Sequence, residues 1–486
     1  MTPDFPQFIK SLAPMGRRAL TQNLQRLRQA TLSQIEERLG RFLPDGPLQK
    51  NKAKEHSRDR ILPLNRTFWC WLWQILQGNT SCREVVRQVQ MLFSLHGKSI
   101  DEGTSAYCQS RNKLPLHLLQ RIRCLTAQAA WRGVAGWTLL QGRRLKSVDG
   151  SSARLADTPK NQKAFVQPTS QNPGAGFPVI KIAALFCVAS GSILAHATGS
   201  LFQSEIGLAA QFLGSLVAGD VVIADRGFCN YSLAALLSRQ RVDVIARVPT
   251  TIRHIDFRKG QRLGNKDALF VWKRSRRPCS WIGRDQWLGL PESLTVRIIR
   301  VRICVPGIRI KTLTLMTTLL DPILYPAQEI AQAYQLRWRQ ELCFDDLKTT
   351  LHMAHLKCQS PDMVQKELCM FFIAHNFLRS LMAQAAAQAQ IKIEQISFKG
   401  TLDGFRQCSN ALAQAKSKAR RRMLWEEFIK TLAADKLPHR PGRIEPRAVK
   451  RIIKYAKLTT HRHRFKDPMS RNKRRVQATK KRYSLI

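Results

Sequence analysis

The chain has 486 residues, with 80 Lys and Arg against 33 Asp and Glu, a formal net charge of +47, and 44% hydrophobic residues. This composition predicts a globular protein of two to four domains. So large a basic excess repels itself unless a polyanion neutralises it, so nucleic acid is the expected partner and a membrane surface the weaker alternative. No apolar run reaches the roughly 18–20 residues of a spanning helix, and MTPDFPQFIK lacks a signal-peptide pattern. We therefore expect no membrane partner.

The twelve cysteines are scattered, and no C-x-x-C pair occurs. This spacing argues against a zinc ribbon. Cys187 and Cys304 lie within apolar runs, which is typical of buried thiols in a reducing compartment.

Residues 1–140 are predicted to be a helical, DNA-binding region. Ser81 and Glu84 form a capping-box pattern that opens one helix, and Pro115 opens another. A compact bundle with basic faces fits this pattern. A helix-turn-helix reader of DNA and a purely structural helical domain both remain open.

From Arg143 the pattern changes to that of a mixed α/β sheet, predicted over 141–249 in the order β-β-β-α-β-α-β. The first strand is expected to end at Asp149 and to precede a polar loop over 151–178. A buried, β-branched strand, GDVVIADRGF, ends at Asp225.

Residues 250–325 are predicted to be a mostly β insertion. The arginines of VRIIRVRICV are expected to face one side of a sheet, and SWIG and QWLG are assigned to strands. A solvated face is one interpretation. A basic, DNA-facing sheet is preferred because Trp272, Trp281 and Trp287 are interleaved with the charge.

Residues 326–435 open with a predicted continuous helix from Pro326 to Leu351. At about 100° per residue, a tyrosine, an arginine, a glutamate and a lysine share one narrow stripe: Tyr334, Arg337, Glu341 and Lys348. A core stripe would be apolar. The last stretch, 436–486, is a basic tail, with 16 Lys and Arg against two acids from Pro441 onward.

Three carboxylates are candidates for chemistry: Asp149, Asp225 and Glu341. If they meet, they need counter-charge, and two divalent cations ~3.5–4 Å apart would supply it and form a phosphoryl-transfer site. Hard oxygen ligands favour Mg²⁺. Other acids are weaker candidates: Asp157 and Asp220 are interpreted as loop residues, and Asp345 is the rival to Glu341 because it lies near the same stripe.

The segment YQLRWRQELCFDDLK carries the spacing Tyr-(2)-Arg-(3)-Glu-(6)-Lys, and VDGSSARLADTPKNQ and ADRGFCNY surround the two aspartates. In these segments the chain resembles the cut-and-paste DDE transposases of bacterial insertion sequences, in the subgroup that this signature marks (the insertion-sequence-four type). CQSRNKLP and RPGRIEPRAVKR also resemble this family, so the likeness spans most of the chain.

The resemblance implies an RNase H-like catalytic core, interrupted by a mostly β insertion. It implies Asp149, Asp225 and Glu341 as catalytic metal ligands for Mg²⁺ or Mn²⁺, with two ions. It also implies that the other three signature residues contact DNA backbone: Tyr334, Arg337 and Lys348. A homodimer bridging two transposon ends, acting in the bacterial cytoplasm, is the expected assembly.

Two alternatives to an active transposase remain open. One is an inactive or regulatory descendant that still binds transposon ends, and the other is a metal-dependent nuclease that needs no paired ends. The acid triad separates the first alternative from the enzyme, since every basic feature would be the same in both.

Overall fold

The computed structural model describes residues 62–94, 99–134, 139–170, 176–249, 255–302, 312–415 and 417–438. A single ten-stranded sheet and the helices packed on it make up these ranges. None of the helices in them is long and apolar enough to cross a membrane. The expectations for residues 1–61, and for the tail from 439 onward, lie outside the described residues.

Four helices precede the sheet. They are α1 (Leu64–Leu76), α2 (Cys82–Ser94), α3 (Ser105–Lys113) and α4 (Leu116–Arg132). The Ser81 hydroxyl accepts the Glu84 backbone N–H at 3.2 Å at the start of α2, as the capping pattern predicts. Fully buried Phe68 and Trp71 anchor α1 in the main hydrophobic core.

Three antiparallel strands and two parallel ones form the first half of the sheet. They are β1 (Leu145–Leu155), β2 (Val179–Cys187), β3 (Ile193–Gly199), β4 (Val221–Ala224) and β5 (Asp243–Arg247). The spatial order is β3-β2-β1-β4-β5, with β1, β4 and β5 parallel to one another. All four residues of β4 are buried, as expected for a central strand covered on both faces. The predicted mixed α/β sheet is confirmed.

The predicted end of the first strand at Asp149 is wrong. β1 continues for six residues to Leu155, because Gly150 to Arg154 keep antiparallel pairing with β2 and the strand end also pairs with β10 (His355–Leu356). Part of the predicted loop over 151–178 is therefore strand. Another part is a short helix, α5 (Pro159–Phe165).

Residues 255–302 and 312–317 extend this same sheet. Their strands are β6 (Gln261–Gly264), β7 (Asp267–Lys273), β8 (Ser293–Arg302) and β9 (Thr312–Thr317). The strand β9 pairs with β5, and the order continues β9-β8-β7-β6, all antiparallel. The β-rich segment is thus hydrogen-bonded directly to the strands that follow Asp225.

Two details of this segment differ from expectation. The QWLG stretch lies in a helix, α8 (Arg284–Leu288), and SWIG lies outside the strands, so both strand assignments are wrong. The arginines of β8 do not share one outward face. Arg297 is 1% exposed and binds Asp267 through Nε and Nη2, at 2.8 and 2.5 Å.

The predicted continuous helix from Pro326 to Leu351 is interrupted. It consists of α9 (Ala327–Gln335), α10 (Trp338–Asp345) and one π-helical turn (Asp346–Thr350). At the first interruption the N–H groups of Arg337 and Gln340 bond to carbonyls three residues back, which tightens the backbone. The π turn widens it again, so the uniform 100° step does not hold across the whole stretch.

Helices cover both faces of the sheet. The remaining helices are α6 (Glu205–Ala210), α7 (Tyr231–Arg239), α11 (Pro361–Ala389), α12 (Phe398–Gln414) and α13 (Lys418–Ala434). α6 and α7 pack in one core with the even-numbered side of β1, including Val148. On the other face, α11 shares the main core with α1 and α4.

Candidate active site

Asp149 and Asp225 come from neighbouring parallel strands. β1 and β4 pair in parallel with Val148 opposite Ala224. One residue further along both strands, Asp149 therefore lies beside Asp225, which directly follows the last residue of β4. The two aspartates act electrostatically on each other, and both are half-buried.

Arg337 links Asp149 to the helix that carries Glu341. Its Nη1 lies 3.6 Å from Asp149 Oδ2, and its Nη2 donates to Glu341 Oε1 at 2.9 Å. The arginine side chain is 11% exposed, whereas the Glu341 side chain is 60% exposed. The guanidinium thus lies between two carboxylates, with one near each of its terminal nitrogens.

The carboxylates around Arg337 favour its charged form. Burial lowers the pKa of Arg337, but Tyr334, Glu341, Asp225 and Asp149 together outweigh burial, so the net shift is upward. The Nε atom of this arginine is buried without a hydrogen-bond partner. The guanidinium is held by charge more than by a complete set of hydrogen bonds.

The half-buried carboxylate of Asp149 has lost part of its contact with water. Burial raises its pKa, and the Gly150 N–H, donating to Oδ1 at 2.8 Å, and Arg337 partly offset that increase. Asp225 and Glu205 raise the pKa further because they are negative. A carboxylate in such surroundings gains from any cation that replaces the lost water.

Tyr334 and Lys348 lie differently with respect to solvent. Tyr334 is 6% exposed, and burial raises its pKa to about 12 despite the nearby charge of Arg337. Lys348 is half-buried in the π turn, and burial lowers its pKa. Among the described residues, no carboxylate lies within ion-pair distance of Lys348.

The other acids weighed from the sequence have partners of their own. Asp345 is exposed and accepts the Thr349 hydroxyl at 2.7 Å. Asp220 is fully buried and pairs with Arg144 and Lys146, at 3.1 and 2.5 Å. Asp157 accepts from the Gln162 amide at 2.9 Å.

Two charged residues near the site carry no local sequence signal. Glu205, at the start of α6, lies against Gly150: a Cβ at position 150 would stand 2.4 Å from its carboxyl carbon. Because strand side chains alternate, Gly150 and Glu205 lie on the opposite face of β1 from Asp149. Arg247, the last residue of β5, lies close enough to Tyr334 to act on its phenol.

The donor set fits a hard divalent cation, since all three candidates are carboxylates. Within the described ranges, however, no three His, Cys, Asp or Glu side chains lie close enough together to hold a metal ion. The cationic group among these acids is instead the guanidinium of Arg337.

The region that contains these residues is similar to known proteins. Residues 140–377 match the family model described as the transposase DDE domain. The chain is 28% identical over 404 residues, 81% of its length and 86% of the relative, to transposase InsG for insertion sequence element IS4 of Escherichia coli strain K12.

A solved piggyBac transposase synaptic complex with hairpin DNA aligns over 85% of this chain and 83% of that chain, at 9% identity and a TM-score of 0.38.

The match to the DDE domain begins just before β1 and ends within α11, so it contains the two aspartates, Arg337 and Glu341. The chain is a DDE transposase, an enzyme that cleaves and transfers DNA. Within that class it belongs to the transposases of the IS4 type, as the four-residue signature indicated. Enzymes of this class use divalent metal ions.

Proposed function

We propose that Asp149, Asp225 and Glu341 are the metal-binding, catalytic acids of this transposase. The observation that carries the proposal is the double contact of Arg337, which puts the α10 glutamate and the β1 aspartate on one guanidinium. The parallel register of β1 and β4 supports Asp225 as the neighbour of Asp149. Asp345 is not part of this set, since its carboxylate faces Thr349.

The ions are proposed to be Mg²⁺, with Mn²⁺ as a substitute, two per site. When bound, they would lower the pKa of the attacking water or 3′-hydroxyl and stabilise the leaving oxygen. The protein holds the three carboxylates on regular secondary structure. Asp149 lies on β1, Asp225 directly follows the neighbouring strand β4, and Glu341 lies on α10. The half-buried position of Asp149 and Asp225 limits competition from solvent.

The DNA backbone is proposed to lie along α9, α10 and the π turn, contacting Tyr334, Arg337 and Lys348. Lys348 supports this most directly, because its charge is half-buried without a carboxylate partner among the described residues. Tyr334 is buried in a hydrophobic cluster, so a contact with DNA requires its side chain to become accessible.

We infer that the sheet β3-β2-β1-β4-β5 is an RNase H-like core, because its first three strands are antiparallel and β1, β4 and β5 are parallel. The proposed domains are a DNA-binding region (1–140), two core parts (141–249 and 326–435), the β-rich insertion (250–325) and a basic tail (436–486). We further propose cut-and-paste transposition by a homodimer on two transposon ends in the bacterial cytoplasm, where the DNA lies.

The test uses the full-length chain, a duplex carrying the element's terminal inverted repeats, and Mg²⁺, with products read on a denaturing gel. Asp149→Asn, Asp225→Asn and Glu341→Gln should each lower strand cleavage by on the order of 10³-fold or more while end binding persists. Asp345→Asn is the matched control and should cleave like wild type. Cleavage that survives Glu341→Gln but is lost in Asp345→Asn would transfer the third role to Asp345.

A further inference from the structure

We propose that Arg337 is a cationic plug in the DNA-free protein, which occupies the acid site until a DNA phosphate draws it out. The inference rests on the proposed function, because it takes Asp149 and Glu341 as metal ligands. It adds that the site is regulated. Metal and DNA bind cooperatively, because Arg337 must leave the acids before the metal can bind them and before a DNA phosphate can bind the arginine.

The first argument is position. The guanidinium of Arg337 contacts Glu341 at 2.9 Å and Asp149 at 3.6 Å, and the charge of Asp225 also acts on it. A divalent cation shared by these carboxylates would carry its charge into the same space. The guanidinium of Arg337 and the divalent cation would repel each other strongly at such distances in a half-buried site.

The second argument is that the arginine is incompletely bound. Its Nε has no hydrogen-bond partner, and its contact with Asp149 is longer than a hydrogen bond. A phosphate can accept two parallel N–H groups from a guanidinium, so it offers Arg337 better geometry than its present partners do. Every charge keeps a partner after this exchange: Arg337 pairs with the phosphate, and the carboxylates bind the metal ion.

The third argument is reciprocity. If DNA removes Arg337 from the acids and so raises metal affinity, then metal must raise DNA affinity by the same factor. The protein would hold metal weakly until it is on DNA.

Metal binding to the DNA-free, full-length protein tests the inference, with free Mn²⁺ followed by electron paramagnetic resonance. Arg337→Ala should bind Mn²⁺ about 5- to 150-fold more tightly than wild type, the usual range of such couplings. Arg339→Ala is the matched control, because Arg339 lies on the same helix but pairs with Glu394. It should bind Mn²⁺ like wild type.

A short phosphodiester duplex provides the second measurement. It should raise the Mn²⁺ affinity of wild type and of Arg339→Ala, and should add little to Arg337→Ala. Arg337→Gln, a neutral side chain of similar length, repeats the test if the alanine variant does not fold. Wild-type-like or weaker Mn²⁺ binding by the folded Arg337 variants would overturn the inference.

The two proposals fail in different ways. If Asp149→Asn abolishes Mn²⁺ binding but Arg337→Ala leaves it unchanged, only the proposed role of Arg337 as a plug is wrong. If Mn²⁺ binding is indifferent to Asp149→Asn, Asp225→Asn and Glu341→Gln alike, the acid site itself is wrong, and the plug falls with it.

Discussion

Two arginines in this protein, Arg297 and Arg337, both lie buried beside carboxylates, but their side chains are held in opposite ways. Arg297 makes a two-point contact with Asp267 and also donates to the carbonyls of Asp321 and Tyr325, at 3.2 and 2.7 Å. Arg337 is shared between two acids, has one orphaned nitrogen, and pairs with a glutamate that is mostly exposed.

If Arg337 acts as proposed, the difference separates a structural ion pair from an exchangeable one. Each nitrogen of Arg297 donates to an acceptor within the protein. The Nε of Arg337 has no hydrogen-bond partner, and its partners Asp149 and Glu341 are carboxylates that could bind a metal ion instead. Both arginines are buried, so their hydrogen bonds distinguish them more clearly than burial does.

The largest expected effect on the free energy of unfolding comes from breaking the ion pair of Arg297 and Asp267. Arg297→Ala leaves Asp267 as an uncompensated buried charge and should lower the free energy of unfolding by about 3–5 kcal/mol. Urea unfolding followed by circular dichroism measures it. Arg302→Ala, at the exposed end of the same strand, is the control. A loss at position 297 as small as that at 302 would contradict the structural role.

Asp346 and Arg379 are an intermediate case, since Nη2 of Arg379 donates to Asp346 at 2.9 Å beside the π turn. Burial raises the pKa of Asp346 to about 6, outweighing Arg379. The native state then binds more protons than the unfolded chain between about pH 4 and 6, so this group makes stability fall as pH rises through that window.

Asp346→Asn should therefore flatten the change in unfolding free energy between pH 4.5 and pH 7 by about 1–3 kcal/mol. Denaturant titrations at both pH values measure this change, with Asp285→Asn as the control because Asp285 is exposed and does not act on Asp346. An unchanged pH profile would mean that Arg379 fully offsets the burial of Asp346.

Gly150 probes the packing on the far side of the acid site. Gly150→Ala forces the Glu205 carboxylate away and should cost about 1 kcal/mol, at the low end of overpacking because that side chain is exposed. In a Glu205→Ala background the same substitution should cost less, and a double-mutant cycle measures the difference. Equal costs in both backgrounds would show that Glu205 is not the obstacle.

The smallest stability change is expected for Arg337→Ala, within about 1 kcal/mol of wild type, because its closer partner Glu341 is mostly exposed and solvent screens it. Thermal unfolding without metal is the measurement, beside Arg297→Ala. Losses of the same size for both arginines would remove the distinction between a complete pair and a shared one.

Local sequence pattern predicted the mixed sheet and the buried strand that precedes Asp225. A buried β-branched run predicted β4 and hence the location of Asp225, and the four-residue signature placed Glu341 one helical turn after Arg337. Such features depend on neighbours within a few residues.

What the pattern missed depends on distant contacts. β1 runs past Asp149 because it pairs with β2 and β10. Arg297 can be buried because Asp267, on the neighbouring strand β7, forms an ion pair with it. The interruptions between Gln335 and Leu351 likewise have no Gly or Pro to announce them.

The long helix α11 has a consequence for how this gene can be divided. Its buried side chains share one core with α1 and α4 from before the sheet, and with α12 and α13 after it. A fragment cut between these helices and the sheet would leave a broad apolar surface in water, and such surfaces aggregate. The helices described from residue 64 onward are therefore not a detachable module, and a swap of DNA specificity between relatives should carry α11 along with them.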